Sequence, residues 1–359
     1  MQTSSANKKD ALMTLLNTFN LTHPIVQAPM AGATTPELAL TVSNFGGLGS
    51  LGAGTTSPEV LHEQINTIKS RTDRPFMINL MVLSEHESNT FTSDIPAWLD
   101  EYYQKNQIDI SLPERPALRF ADQLQVLYDN PVPIASFTFD IISAEHVQRL
   151  QSLGTCVVGT ANHPHEAKAW ADIGADAVCV QGVEAGGHRG GWLPQSANDP
   201  MGLLTLISQT RACTDVPLIA AGGIMTGQAI KAIQTAGAEL AQIGTAFLTT
   251  DKCAINDSYK QALLDASQDK RSSETRLTRL FSGKQARGLL NDYLHDFAQF
   301  ENAHELPPYP QLNAMTKSLR NHAKDNLDAE HQSLWAGQGV AAVRQEKTIE
   351  LLERLVTEL

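Results

Sequence analysis

The chain alternates short, almost wholly apolar runs with longer stretches whose apolar residues recur three or four apart. The first run is Ile25-Val26-Gln27-Ala28, stopped by Pro29. Residues 37–45 follow with helical spacing, opened by Thr35-Pro36 and closed by Gly46-Gly47, a helix start and stop of the expected kind. Further apolar runs lie at 48–51, 75–80, 133–139, 155–160, 176–180, 216–221 and 240–245. Helical patterns at 57–70, 143–153, 164–173, 203–210 and 226–236 separate them. Strands this apolar are buried on both faces, as in a parallel sheet under helices. Eight strand-then-helix units predict an α/β fold, a closed (β/α)8 TIM barrel rather than an open doubly wound sheet.

The rhythm fails in two places. Residues 84–113 are polar with scattered aromatics (Phe91, Trp98, Tyr102, Tyr103); a loop this long reads equally as a lid or as an insertion packed on the surface. After about Thr250 the composition turns polar and helical up to Pro307-Pro308-Tyr309-Pro310. The expected division is therefore a barrel of residues 1–250 and 320–359 with a mostly helical accessory lobe at 251–319. A loop at 331–339 carries Trp335, and 340–359 reads as a closing helix. Near the start, Met1 to Asp10 are polar. Leu12, Leu15, Leu16 and Phe19 then form an amphipathic stretch, too short for a signal peptide or a membrane span and suited to a helix under the barrel.

Composition narrows the function. A net charge of −12 over 359 residues, without a Lys/Arg cluster, argues against a nucleic-acid partner. Cys156, Cys179, Cys213 and Cys253 form no CxxC pair and read as reduced thiols of a cytoplasmic protein. No carboxylate stands at metal-ligand spacing from His163 or His165, so no metal is expected. No membrane partner is expected either, and the oligomeric state is left open, a homodimer included.

In a barrel the active site lies at the carboxyl ends of the strands, and unusual residues gather there. The sixth run breaks into Gln181-Gly182-Val183-Glu184-Ala185-Gly186-Gly187-His188-Arg189-Gly190-Gly191. Neither helix nor strand gains from so many glycines, so this is a loop whose backbone approaches a ligand closely. The other rim residues are Pro29-Met30-Ala31, Asn79, Gly222-Gly223 and Gln242-Ile243-Gly244-Thr245. The ends of the seventh and eighth strands are the usual phosphate cup of such barrels. Asn79 and Gln181 offer both donor and acceptor, which suits the edge of a heterocycle such as an isoalloxazine. Gly46-Gly47-Leu48-Gly49 precedes its strand, so it is no dinucleotide fingerprint.

Together Gln27 to Gly32, Asn79, Glu184 to Gly190, Ala220 to Ile224 and Gln242 to Thr245 resemble the nitronate monooxygenase (2-nitropropane dioxygenase) family. The glycine-histidine loop and Leu334 to Gln338 look most like its class I members. The resemblance implies noncovalent FMN, with Pro29, Met30 and Ala31 along the flavin ring and Asn79 and Gln181 bonding near it. Gly186, Gly223 and Gln242 to Thr245 hold the ribityl phosphate end, and Gly187 and Gly222 complete the cofactor set. His188 matches the active-site histidine, stabilising the nitronate as a hydrogen-bond partner or as imidazolium, or acting as base on a neutral nitroalkane. Trp335 and Gln338 line the pocket. The implied reaction converts an alkyl nitronate, of the propionate 3-nitronate class, and O2 to a carbonyl compound and nitrite. The competing readings are an FMN-dependent NAD(P)H:quinone or enoyl-thioester reductase and a flavin-binding protein without turnover.

Overall fold

The computed structural model describes residues 14–92, 94–302 and 306–359. Met1 to Asp10 and Leu12 lie outside the described residues. Eight parallel strands form one sheet: β1 (Ile25–Gln27), β2 (Gly49–Gly52), β3 (Phe76–Met81), β4 (Ile134–Thr138), β5 (Cys156–Ala161), β6 (Ala177–Gln181), β8 (Leu218–Ala221) and β9 (Leu240–Ile243). β7 (Gly187–His188) lies in the loop after β6 and belongs elsewhere. Each barrel strand pairs with its neighbour in the order of the chain, and β1 pairs with β9. The last seam is a parallel bridge between Val26 and Leu48, so the sheet curls almost fully into the expected (β/α)8 barrel.

Strand periodicity sorts the side chains. Outward positions such as Ile78, Phe137, Val180, Ala220 and Ile243 form the large core shared with the surrounding helices. Inward positions such as Val26, Met77, Ile134, Val158, Cys179, Ile219 and Leu240 form a second core inside the barrel, closed from the amino-terminal side by Leu15 and Phe19. The helix expected near the start thus exists as Leu15–Thr18 and plugs the barrel floor. Two residues further along their strands, Asn79, Gln181 and Gln242 keep the parity of Met77, Cys179 and Leu240 and stand one layer above this plug.

The lobe holds helices Asp257–Ser267, Asp292–Asp296, Gln311–Met315 and Lys317–Asp325. It also holds a β-hairpin that its polar, helical pattern did not announce: β10 (Thr275–Thr278) and β11 (Ala286–Leu289). β11 pairs antiparallel with β7, His188 opposite Ala286, and Gly288 bridges to Trp335. The lobe is therefore joined by backbone ladder to the glycine loop. The stretch 84–113 packs into the same lobe: Leu99 and Tyr103 are buried with Phe281, Tyr293 and Leu319, flanked by Phe91 and Trp98. Leu319 and Arg320 continue helix Lys317–Asp325, so that helix crosses the expected boundary at 319/320. The closing helix is shorter than its pattern, Thr348–Thr357, and buries Leu351, Leu352 and Leu355 while Ile349 stays exposed. Among the described residues no helix is long and apolar enough to cross a membrane, and all four cysteines are free.

Candidate active site

A chamber of about 960 Å³ opens at the carboxyl ends of the strands, roofed by the lobe. It is lined by Pro29, Met30, Ala31, Asn79, Gln181, Gly186, Gly187, His188, Gly222, Gly223, Gln242, Gly244, Thr245 and Trp335, so nearly the whole expected set converges. Gln338 does not join it. That side chain is exposed, and its backbone N–H donates to Glu184 O (2.9 Å), tying the 331–339 loop to the glycine loop.

The β8–β9 side of the rim is backbone. Gly222 and Gly223 have φ of +127° and +68°, conformations that L side chains rarely adopt. Gly244 precedes the short helix Thr245–Leu248. Among the described residues nothing accepts a hydrogen bond from the backbone N–H of Gly223, Gly244 or Thr245. Unpaired N–H groups at a rim with little side chain fit a phosphate. Gly186 has a different reason to be glycine: a Cβ there would stand 2.5 Å from the Ala336–Gly337 backbone.

The two strand-end amides differ. Asn79 is buried and donates to Ser136 Oγ (2.9 Å). Gln181 is largely spent on its own loop: Oε1 accepts from Asn162 Nδ2 (2.8 Å) and Gly190 N (2.9 Å), and Nε2 donates to His188 O (3.1 Å). Arg189 donates to the carbonyls of Gly182 (2.5 Å) and Gln181 (3.1 Å), and Arg287 to that of Val183 (2.8 Å). Both buried guanidinium groups thus anchor the loop that carries His188.

The glycines around His188 suggest a ring with few side chains against it; the folded chain corrects this. The rings of Trp335, Tyr309 and Phe139 lie 5.4, 5.5 and 5.6 Å from it. Nε2 meets Ser282 Oγ at 2.8 Å. Ser282 Oγ in turn reaches Lys284 O at 3.1 Å. When the serine proton goes to that carbonyl, Nε2 is the donor and Nδ1 keeps the lone pair; when it goes to Nε2, Nδ1 carries the N–H and is a free donor. Burial, then the charges of Lys284 and Arg320, push the His188 pKa down to about 3. Near neutral pH the ring is the uncharged imidazole, and the imidazolium role drops out.

Phe139, Tyr309, Ser282 and Lys284 escaped sequence reasoning. Phe139 closes the apolar run 133–139, one residue past β4 and at φ +83°, and Tyr309 sits in the Pro307-Pro308-Tyr309-Pro310 cluster; those are the only traces. Ser282 and Lys284 flank the turn of the unannounced hairpin. Lys284 is half-buried, donates to Gly191 O (3.0 Å) and stands over the Phe139 ring at 5.0 Å.

Residues 13–358 match the family model for nitronate monooxygenase. A probable nitronate monooxygenase of Bacillus subtilis (strain 168) is 39% identical over 95% of this chain and 97% of its own. The solved nitroalkane oxidase from Streptomyces ansochromogenes superposes with a TM-score of 0.84 at 36% identity, covering 96% of this chain and 97% of that one. FabK from Thermotoga maritima reaches a TM-score of 0.75 at 25% identity, over 96% of this chain and 94% of that one. A match along nearly the whole chain, with the barrel and its rim intact, means that this protein belongs to the nitronate monooxygenase family.

Proposed function

We propose that the protein is an FMN-dependent nitronate monooxygenase that converts alkyl nitronates of the propionate 3-nitronate class, with O2, to a carbonyl compound and nitrite. The observation that carries the reading is a neutral imidazole among three aromatic rings, facing a chamber whose β8–β9 rim offers free backbone N–H groups. Gly223, Gly244 and Thr245 would hold the phosphate of FMN, and Pro29, Met30, Ala31 and Asn79 would border its ring. Bound there, FMN would supply the one-electron acceptor for the nitronate. The chain's own part is to bind and orient. With the Ser282 proton on Nε2, His188 meets the nitronate as an uncharged N–H donor through Nδ1, held by Ser282 on one edge and by three aromatic rings around it. The same rings limit water around the reacting carbon, which strengthens each hydrogen bond made there. In the other tautomer, with the serine proton on Lys284 O, the Nδ1 lone pair is a proton acceptor for a neutral nitroalkane, a weak one given its lowered pKa.

The test is a nitrite assay on the purified yellow protein with propionate 3-nitronate, beside anaerobic mixing with NADH, NADPH or the nitronate. Nitrite release, with flavin bleaching by nitronate and not by NAD(P)H, is expected. Rapid bleaching by NAD(P)H without nitrite release overturns the proposal in favour of a reductase.

A further inference from the structure

The lobe wall of the chamber carries a positive charge that the described protein does not neutralise. Arg320, in helix Lys317–Asp325, lines the cavity. Its Nη2 donates to Asn313 O (2.6 Å) and Asn313 Oδ1 (3.1 Å). Its Nε is buried with no acceptor. Among the described residues Nη1 has no acceptor either, and no carboxylate forms an ion pair with the group. Its closest charge-bearing company is Tyr293, Tyr103 and Tyr309, whose pKa values burial raises, so all three are neutral phenols.

The other cations of the chamber and its loop are solvated or accounted for: Lys317, on the same helix, is exposed. Arg119 meets Glu85 and Asp122, and Arg115 donates to Asn89. Arg189 and Arg287 are spent on loop carbonyls. A guanidinium that is half-buried, held on one edge by Asn313 and without a carboxylate raises the free energy of the empty site, and an entering anion offsets that cost. A cofactor phosphate is not the expected anion, because the free backbone N–H groups are at the β8–β9 rim. The nitronate group is not either, because His188 and its rings define the reacting end.

Accepting the nitronate reading above, we infer that Arg320 is the anchor for a carboxylate at the far end of the substrate. The site then selects short aliphatic nitronates that end in a carboxylate over those with an uncharged tail. Asn313 is a positioning residue that fixes the guanidinium before substrate arrives.

The experiment compares kcat/KM for propionate 3-nitronate and for propyl-1-nitronate on flavin-replete wild type, Arg320→Met and Arg320→Lys. The ratio between the two substrates is expected to fall about 30- to 100-fold in Arg320→Met, through KM for the carboxylate substrate, with partial recovery in Arg320→Lys. An unchanged ratio overturns the inference, whether both substrates keep their rates or lose them equally. If Arg320→Met fails to fold, the ratio in Arg320→Lys and Arg320→Gln decides by the same criterion. Should wild type release nitrite from neither substrate, the nitronate reading has failed. Succinate titrated against the flavin absorbance then tests Arg320 alone: weaker binding in Arg320→Lys sustains the anion site, and equal binding removes it.

Discussion

The two sides of the chamber are made of different material. On the β8–β9 rim, recognition is by backbone: glycines at 222, 223 and 244 bare their N–H groups and add no side chain. On the lobe side it is by side chains drawn from four distant segments: His188, Ser282, Tyr309 and Trp335, with Arg320 behind them. A backbone rim suits a ligand part that never changes, such as a phosphate. A side-chain wall sets which substrate enters and what happens to it. If the rim holds the cofactor phosphate as proposed, the difference teaches that cofactor retention and chemistry are separable by mutation.

The largest expected effect breaks the backbone rim. Gly244 has φ of −113°, open to other residues, and a Cβ there would make only ordinary contact with Ala28 (3.4 Å) and Met30 (3.7 Å). Gly244→Val is therefore expected to fold, yet its branched side chain crowds the free N–H groups. Flavin occupancy should drop to about a tenth or less, and activity with it. A folded, fully yellow Gly244→Val protein means that the phosphate sits elsewhere.

The next effect breaks the lobe wall and leaves the rim alone. His188→Asn should stay yellow while kcat/KM for the nitronate falls about 100-fold, the usual cost of one lost donor at developing charge. Because three rings pack on the imidazole, His188→Ala should also lower the melting temperature, which Asn largely avoids. Unchanged nitronate turnover in His188→Asn makes the histidine a bystander.

The smallest effect is on stability against pH. A histidine near 6.5 when unfolded and about 3 when folded binds more protons unfolded throughout that window. Its contribution to stability therefore rises with pH from about 3 to 6.5, and the protein weakens as acid is added. Wild type minus His188→Asn, followed by denaturant unfolding at several pH values, should show a slope of at most about 1.4 kcal/mol per pH unit. No difference in slope means that the ring is better solvated than its neighbours suggest.

The barrel was legible because its physics is local. Strands buried on both faces must be apolar, helices over them must be amphipathic, and the eight repeats follow. The backbone rim was legible for the same reason: glycine runs at strand ends mark themselves wherever the chain later goes. The amides illustrate the limit. Gln181 stands at a strand end as expected, but whether it faces a ligand or ties down its own loop depends on Asn162 and Gly190, which no spacing reveals.

The sequence by itself determined the fold, the rim on which the site is built, and the histidine that stands there. Only the tertiary structure decided that histidine's chemical state. The β7–β11 ladder brings Ser282 and Lys284 beside it and Phe139, Tyr309 and Trp335 pack around it, so that burial and then the charges of Lys284 and Arg320 leave the ring neutral. The same holds for Arg320, one charge among many in a polar helix until folding half-buries it, with Nε unpaired and no carboxylate beside it among the described residues. Charge and protonation depend on desolvation and on neighbours within a few ångströms. Those neighbours come from segments a hundred residues apart, so no local pattern encodes them.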